Sequence, residues 1–327
     1  MTLDTAWSFA FANPVTGWIV LGVAGALVLA AVVIAGLSLA GRLAPPLRRE
    51  LWLRLGSWCL LAPAMILPIL AGRVWVIAAV TLLGLACLGE YGRATGLFRE
   101  RFTTFMVVLG ILAVNLAALD HWYGFFVALM PLSCGFIAIA SIPFDQPRGY
   151  VQRVALAVFA FFLFGAALGH LGYIANDANY RPLILMLLLA VGLNDVAAYV
   201  VGKTLGGPKL LPGTSPNKTL SGALGALVIT TVVVTLLAGP IFVGTQMEPL
   251  PLRIGLGVIV SIAGQFGDLM LSSIKRDIGI KDMGVAIPGH GGVLDRFNSL
   301  LLVAPAVFHY VGYIVGFGLD QPTRVLF

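Results

Sequence analysis

Ten long apolar runs, separated by short polar segments, dictate what this chain can become. In hydrocarbon every backbone N–H and C=O must be satisfied within the protein, so only helices or a closed barrel cross a bilayer. The runs do not alternate apolar with polar residues, which selects helices of the roughly 17–25 residues that span a membrane. They are expected near 17–40, 55–71, 74–89, 104–119, 123–142, 154–175, 182–201, 222–243, 252–271 and 299–318. Composition agrees: 59% of the residues are hydrophobic and 10% charged, against roughly 45–50% and 25% in soluble domains. The fold class is all-α, a polytopic membrane protein. Pro63 and Pro68 are expected to kink the second span.

Loop charge tests the count. With the N-terminus outside, the inner loops carry sixteen Lys and Arg, from Arg42 to Arg296. The outer segments carry four: Arg73, Arg181, Arg253 and Arg324. That excess at every inner loop is the positive-inside pattern, and gaining or losing one span would scramble it. It also accounts for the net charge of +6 without nucleic acid as a partner. Cys59, Cys87 and Cys134 sit in apolar runs with no metal-ligand or disulfide spacing, so they read as packing residues. Residues 1–16 lack Lys and Arg, so no cleavable signal is expected.

Polar chemistry concentrates in two inner segments. Ser272–Asn298 holds seven charged residues in 27 positions, together with the run Pro288-Gly289-His290-Gly291-Gly292, which cannot be a membrane helix. Glycines let a backbone approach a ligand and turn N–H groups toward phosphate oxygens, while Lys and Arg add the complementary charge. Residues 202–221 hold three lysines and many hydroxyls but no carboxylate. That loop reads either as a phosphate clamp or simply as positive-inside charge.

Acids within spans are costly and informative. Asp195 is expected about two turns, and Asp268 about one turn, from the inner ends of their helices. Asp268 is either paired with a basic residue reaching in from a loop or a metal ligand together with Asp295. His290 is either structural or a phosphate contact. Glu90 is expected to cap or pair at the inner interface, and His121, His170 and His309 carry no expected chemistry.

The spacing Ser272-x2-Lys275-Arg276-x4-Lys281-Asp282-x-Gly284-x3-Pro288-Gly289-His290-Gly291-Gly292-x2-Asp295-Arg296 resembles the signature of the phosphatidate cytidylyltransferases, or CDP-diacylglycerol synthases. Gly267-Asp268-Leu269, Asp195-x2-Ala198-Tyr199-x2-Gly202 and Ser215-Pro216-x-Lys218-Thr219 resemble further blocks of that family. The resemblance covers roughly residues 190–300. It implies a polar active site facing the cytoplasm of the inner membrane, where phosphatidic acid attacks the α-phosphorus of CTP to give CDP-diacylglycerol and pyrophosphate. It further implies Mg²⁺, with a second cation such as K⁺, on Asp268 and Asp295, with Asn298 as an additional ligand. Lys275 and Arg276 join the two acids as catalytic residues. Ser215, Lys218, Ser272, Lys281, Asp282, His290, Gly291, Gly292 and Arg296 are expected to bind substrate or phosphate. Residues 1–181 are then the anchoring, lipid-facing helices and 182–327 the catalytic region. The partners are CTP, phosphatidic acid and membrane lipids, with a homodimer as an open option.

Three departures from the family pattern stand out. Ser221, Leu271 and Asn298 occupy positions that the family usually fills with carboxylates. They motivate two alternatives: a non-catalytic paralogue that binds anionic lipid or nucleotide, and a cytidylyltransferase for another lipid phosphate. A transporter would be expected to show an inverted repeat, and none is visible.

Overall fold

The structure, a computed structural model, describes residues 10–317. Arg324, residue 318 and the first nine residues of the 1–16 segment lie outside the described residues. Ten helices among those described are long and apolar enough to cross a membrane. They are α1 (Pro14–Leu39), α2 (Pro45–Ala71), α3 (Arg73–Thr95), α4 (Arg101–Leu119) and α5 (Tyr123–Phe144). Then follow α6 (Tyr150–Ile174), α7 (Tyr180–Leu205), α8 (Leu220–Ile241), α9 (Leu250–Asp277) and α10 (Val293–Val315). The ten spans therefore stand, and the protein is an integral membrane protein.

The alternation of sides is visible in contacts between loops. At one end, Ser57 Oγ donates to the Pro288 carbonyl (2.7 Å), and Arg276 Nε to the Thr214 carbonyl (3.4 Å). At the other, Arg73 Nη1 donates to Asn176 Oδ1 (3.1 Å), and Asn176 Nδ2 to the Ala118 carbonyl (2.9 Å). There too, Asn13 Nδ2 donates to the Pro240 carbonyl (3.0 Å). Each contact joins segments that the charge pattern puts on one side. The shortest connection, between α2 and α3, is Gly72 alone, at φ +136°, a backbone conformation that glycine adopts without a Cβ penalty.

Two helices run further than hydropathy indicates. α7 continues to Leu205 and α9 to Asp277. Asp195 and Asp268 are consequently ten and nine residues from their helix ends, deeper than expected. Hydropathy follows the apolar run, whereas Ser272, Ser273, Lys275 and Arg276 extend the helix beyond it. Residues 202–221 are more than a loop. β1 (Lys209–Leu211) and β2 (Ser215–Thr219) pair antiparallel, Lys209 opposite Thr219 and Leu211 opposite Ser215. Thr219 then caps α8 by accepting from Gly222 N at 3.1 Å.

Small and polar residues pull α7, α8 and α9 together, because lipid supplies no hydrophobic drive between helices. A Cβ on Gly222 would stand 2.4 Å from the Ala198 carbonyl oxygen, and one on Gly267 would stand 2.7 Å from the Asn298 carbonyl oxygen. In the same core Asn194 Oδ1 accepts from Thr230 (3.1 Å) and Ser261 (2.7 Å), so one amide joins all three helices.

Gly222→Val should therefore separate α7 from α8. Overpacking costs about 1–3 kcal/mol, so a lower thermal transition in detergent is expected. Gly25→Val, at a site with nothing within 4 Å, should leave the transition unchanged. An unshifted Gly222→Val transition would show that the crossing tolerates a side chain.

Candidate active site

Two cavities open at the end of the bundle where the signature lies. The first, about 560 Å³, is walled by α7, the hairpin, α8 and α9, and it is lined by Asn194, Asp195, Lys203, Lys209, Lys218, Gln265 and Asp268 among others. Lys218 forms an ion pair with Asp268 Oδ2. Asn298 Nδ2 donates to Asp268 Oδ1 at 2.6 Å, and Asn298 Oδ1 accepts from Ser299 N at 2.7 Å. The charges of Asp268, Lys218 and Arg296 all act on Asp195. Asn194 Nδ2 is buried beside this cavity without a hydrogen-bond partner, a donor that a ligand oxygen would satisfy.

The second cavity, about 450 Å³, lies under the glycine-rich turn and is lined by Arg54, Lys281, Asp282, Pro288, His290, Gly291 and Arg296 among others. Gly289 and Gly291 have φ +73° and +82°, and an antiparallel bridge between Ile287 and Gly291 closes the turn. Trp58 of α2 meets the His290 ring edge-on at 6.0 Å. Burial pushes the His290 imidazole below its ordinary range. The Pro288 carbonyl opposes this, and the Arg296 and Arg54 charges reinforce it. His290 is thus a neutral hydrogen-bonding group at pH 7. Arg296 lines this cavity, and two residues further on Asn298 donates to Asp268 in the first, which connects the two.

Asp295 stands apart from Asp268. Its side chain is 3% exposed. Its Oδ1 accepts from Lys275 Nζ (2.8 Å), and its Oδ2 from Met283 N (2.8 Å) and Gly292 N (3.0 Å). Asp295, expected to join Asp268 as a metal ligand, thus has both oxygens on groups that hold the loop. Asn298, expected as an additional ligand, has its carbonyl oxygen on Ser299 N while its amide supports Asp268. Lys275, expected to be catalytic, is the counter-ion of Asp295. Arg276 is exposed and donates to the Thr214 and Ile280 carbonyls. Ser215 and Ser272 are half-buried and line neither cavity.

Among the described residues no three His, Cys, Asp or Glu side chains cluster to hold a metal. Mg²⁺ needs only one or two carboxylates when substrate phosphates complete its shell. Asp195 and Asp268, in one cavity with the Gln265 amide, fit that requirement. Asp195, marked in the sequence by its position inside an apolar run, shares the lining of the first cavity with Asp268. Of the departures, Leu271 is fully buried in the core, where an unpaired carboxylate would be costly. Ser221, in the first turn of α8, donates to the Gly206 carbonyl just past the end of α7.

Glu90, expected to cap or pair at the inner interface, caps a helix distant in sequence. Its two oxygens accept from Val293 N (2.9 Å) and Leu294 N (2.8 Å), the first amides of α10. With Ser57 and Arg54, it brings the N-terminal half to the signature.

Residues 52–314 match the Cytidylyltransferase family. The chain belongs to this family of nucleotidyltransferases. The match starts well before the motif region, so it includes Arg54, Ser57 and Glu90. Over 271 residues the chain is 31% identical to the uncharacterized protein YnbB of Escherichia coli K12, covering 81% of this chain and 88% of that protein. It is 34% identical over 174 residues to a protein named phosphatidate cytidylyltransferase from Staphylococcus haemolyticus, covering 53% of this chain and 65% of that one. A Staphylococcus epidermidis protein of the same name is 32% identical over 208 residues, covering 63% of this chain and 78% of that one.

The two acids should separate in their effects. Removing one partner of a buried ion pair costs about 3–5 kcal/mol, so Asp295→Ala should lower the thermal transition sharply. Asp268→Asn, at a 22% exposed side chain, should leave the transition close to wild type and abolish turnover. Equal transitions for the two variants would show that Asp295 does not hold the loop.

Proposed function

We propose that this cytidylyltransferase-family protein transfers the cytidylyl group of CTP to phosphatidic acid, giving CDP-diacylglycerol and pyrophosphate. The observation that carries the reading is the first cavity, where Asp195, Lys218 and Asp268 meet at the end of a membrane bundle. A diacyl lipid can present its phosphate there from the bilayer while a soluble nucleotide enters from water. Transfer of this kind asks the protein chiefly to align two polyanions and neutralise their charge.

In this reading Lys218 leaves Asp268 to meet a phosphate oxygen. Asp268 and Asp195 would hold Mg²⁺, which would supply further neutralisation of phosphate charge. Lys203 and Lys209 draw the anions into the first cavity. In the second, Arg54, Lys281 and Arg296 offer cationic contacts, and neutral His290 offers a directional hydrogen bond. Asn298 keeps Asp268 oriented. The basic residues gathered at this end support a cytoplasmic site, with the N-terminus outside, in the inner membrane.

Purified protein given labelled CTP, Mg²⁺ and phosphatidic acid should form a CDP-lipid, and omission of any one should abolish it. No product from a folded protein that still binds CTP would redirect the search to another lipid-phosphate acceptor. The committed Asp295 and the ion-paired Asp268 favour one further reading, a non-catalytic binder, and absent CTP binding would select it. For orientation, a cysteine at Lys209 in a cysteine-free background should resist a membrane-impermeant maleimide in intact cells, and one at Asn179 should react. The reverse pattern would invert the topology.

A further inference from the structure

We propose that Glu90, in the N-terminal half, is a positioning residue for the transfer reaction, holding the glycine-rich turn and Arg296 in register with the first cavity. This rests on the reading above for its chemistry, though not for its geometry.

Glu90 is 2% exposed, and among the described residues no cation lies within ion-pair distance of it. A buried carboxylate without a counter-ion is costly unless hydrogen bonds satisfy it. Here the donors are two backbone N–H groups at the start of α10, groups that lack intrahelical partners and favour negative charge. One side chain on α3 thus fixes the first turn of α10, and that turn carries Asp295 and Arg296.

The loop is moulded to Glu90. A Cβ on Gly284 would stand 2.5 Å from Glu90 Oε1, and one on Gly292 would stand 2.3 Å from Oε2. Both glycines therefore lie against the carboxylate, one on each side of the Pro288–Gly291 turn. Asp295 accepts from Gly292 N on the same segment. Two carboxylates from distant parts of the chain hold one loop, and one of them comes from α3. A shift of the loop and the start of α10 would move Arg296 and His290, which line the second cavity, and Asn298, whose amide donates to Asp268 in the first.

Glu90→Gln keeps the length of the side chain, but it offers one oxygen and turns an NH₂ toward the second amide. Glu90→Asp keeps both oxygens on a shorter stem. Hydrogen exchange and steady-state kinetics on the full-length protein in detergent–lipid micelles test the proposal. In Glu90→Gln, amide exchange over 282–294 should rise at least tenfold while α7 and α8 keep wild-type protection. The kcat should fall by about 10- to 100-fold with little change in KM for CTP, and Glu90→Asp should recover part of the loss. Glu248→Gln, in an outer loop, should match wild type. Unchanged protection over 282–294, or a rise spread across the whole bundle, would overturn the clamp. Local loosening with wild-type kcat would overturn the positioning role. If the wild-type protein itself makes no CDP-lipid, the reaction assignment fails, while the exchange result still decides the clamp.

Discussion

Irregular backbone at the end of a membrane bundle must have its polar groups answered from within the protein, and the rest of this site depends on how that is done. Between α9 and α10 the chain makes no regular ladder beyond the bridge of Ile287 with Gly291. Its N–H groups at Met283, Gly292, Val293 and Leu294 are met by two buried carboxylates, Asp295 and Glu90. Hydrogen bonds to a charged acceptor are stronger than neutral ones, and burial strengthens them further. That strength lets a segment rich in glycine hold one shape.

The division of labour among the acids follows from their surroundings. Asp295 and Glu90 are enclosed and saturated by donors, which suits them to hold backbone. Asp268 is more open, faces a cavity, and is met by a lysine and an amide that can exchange partners. Asp195 shares that cavity. Acids of one chemical type thus serve as fasteners or as site groups according to burial and donor supply.

Much of this was legible in the sequence. The ten spans and the shared side of the polar segments follow from hydropathy and loop charge; a loop cation for Asp268 was one of two open readings, and the structure supplies Lys218. The helix ends were not, because Lys275 and Arg276 are polar yet helical. The hairpin at Lys209–Thr219 was hidden by its prolines and glycines, which read as a loop. The roles of Asp295 and Glu90 were out of reach for a different reason. Spacing shows that an acid is present, and only the three-dimensional path of the loop shows which amides it meets. For Glu90 the partners lie more than two hundred positions away.

That separation bears on how the protein is made. The carboxylate on α3 enters the membrane early in synthesis, while the amides it holds belong to the last of the ten helices. Until α10 is inserted, Glu90 has no donors and the glycine-rich segment has no anchor. The glycine-rich segment is therefore fixed only in a late step, and a nascent chain halted before α10 carries the whole lining of the first cavity yet lacks the hold of Glu90 on the loop and of Asn298 on Asp268.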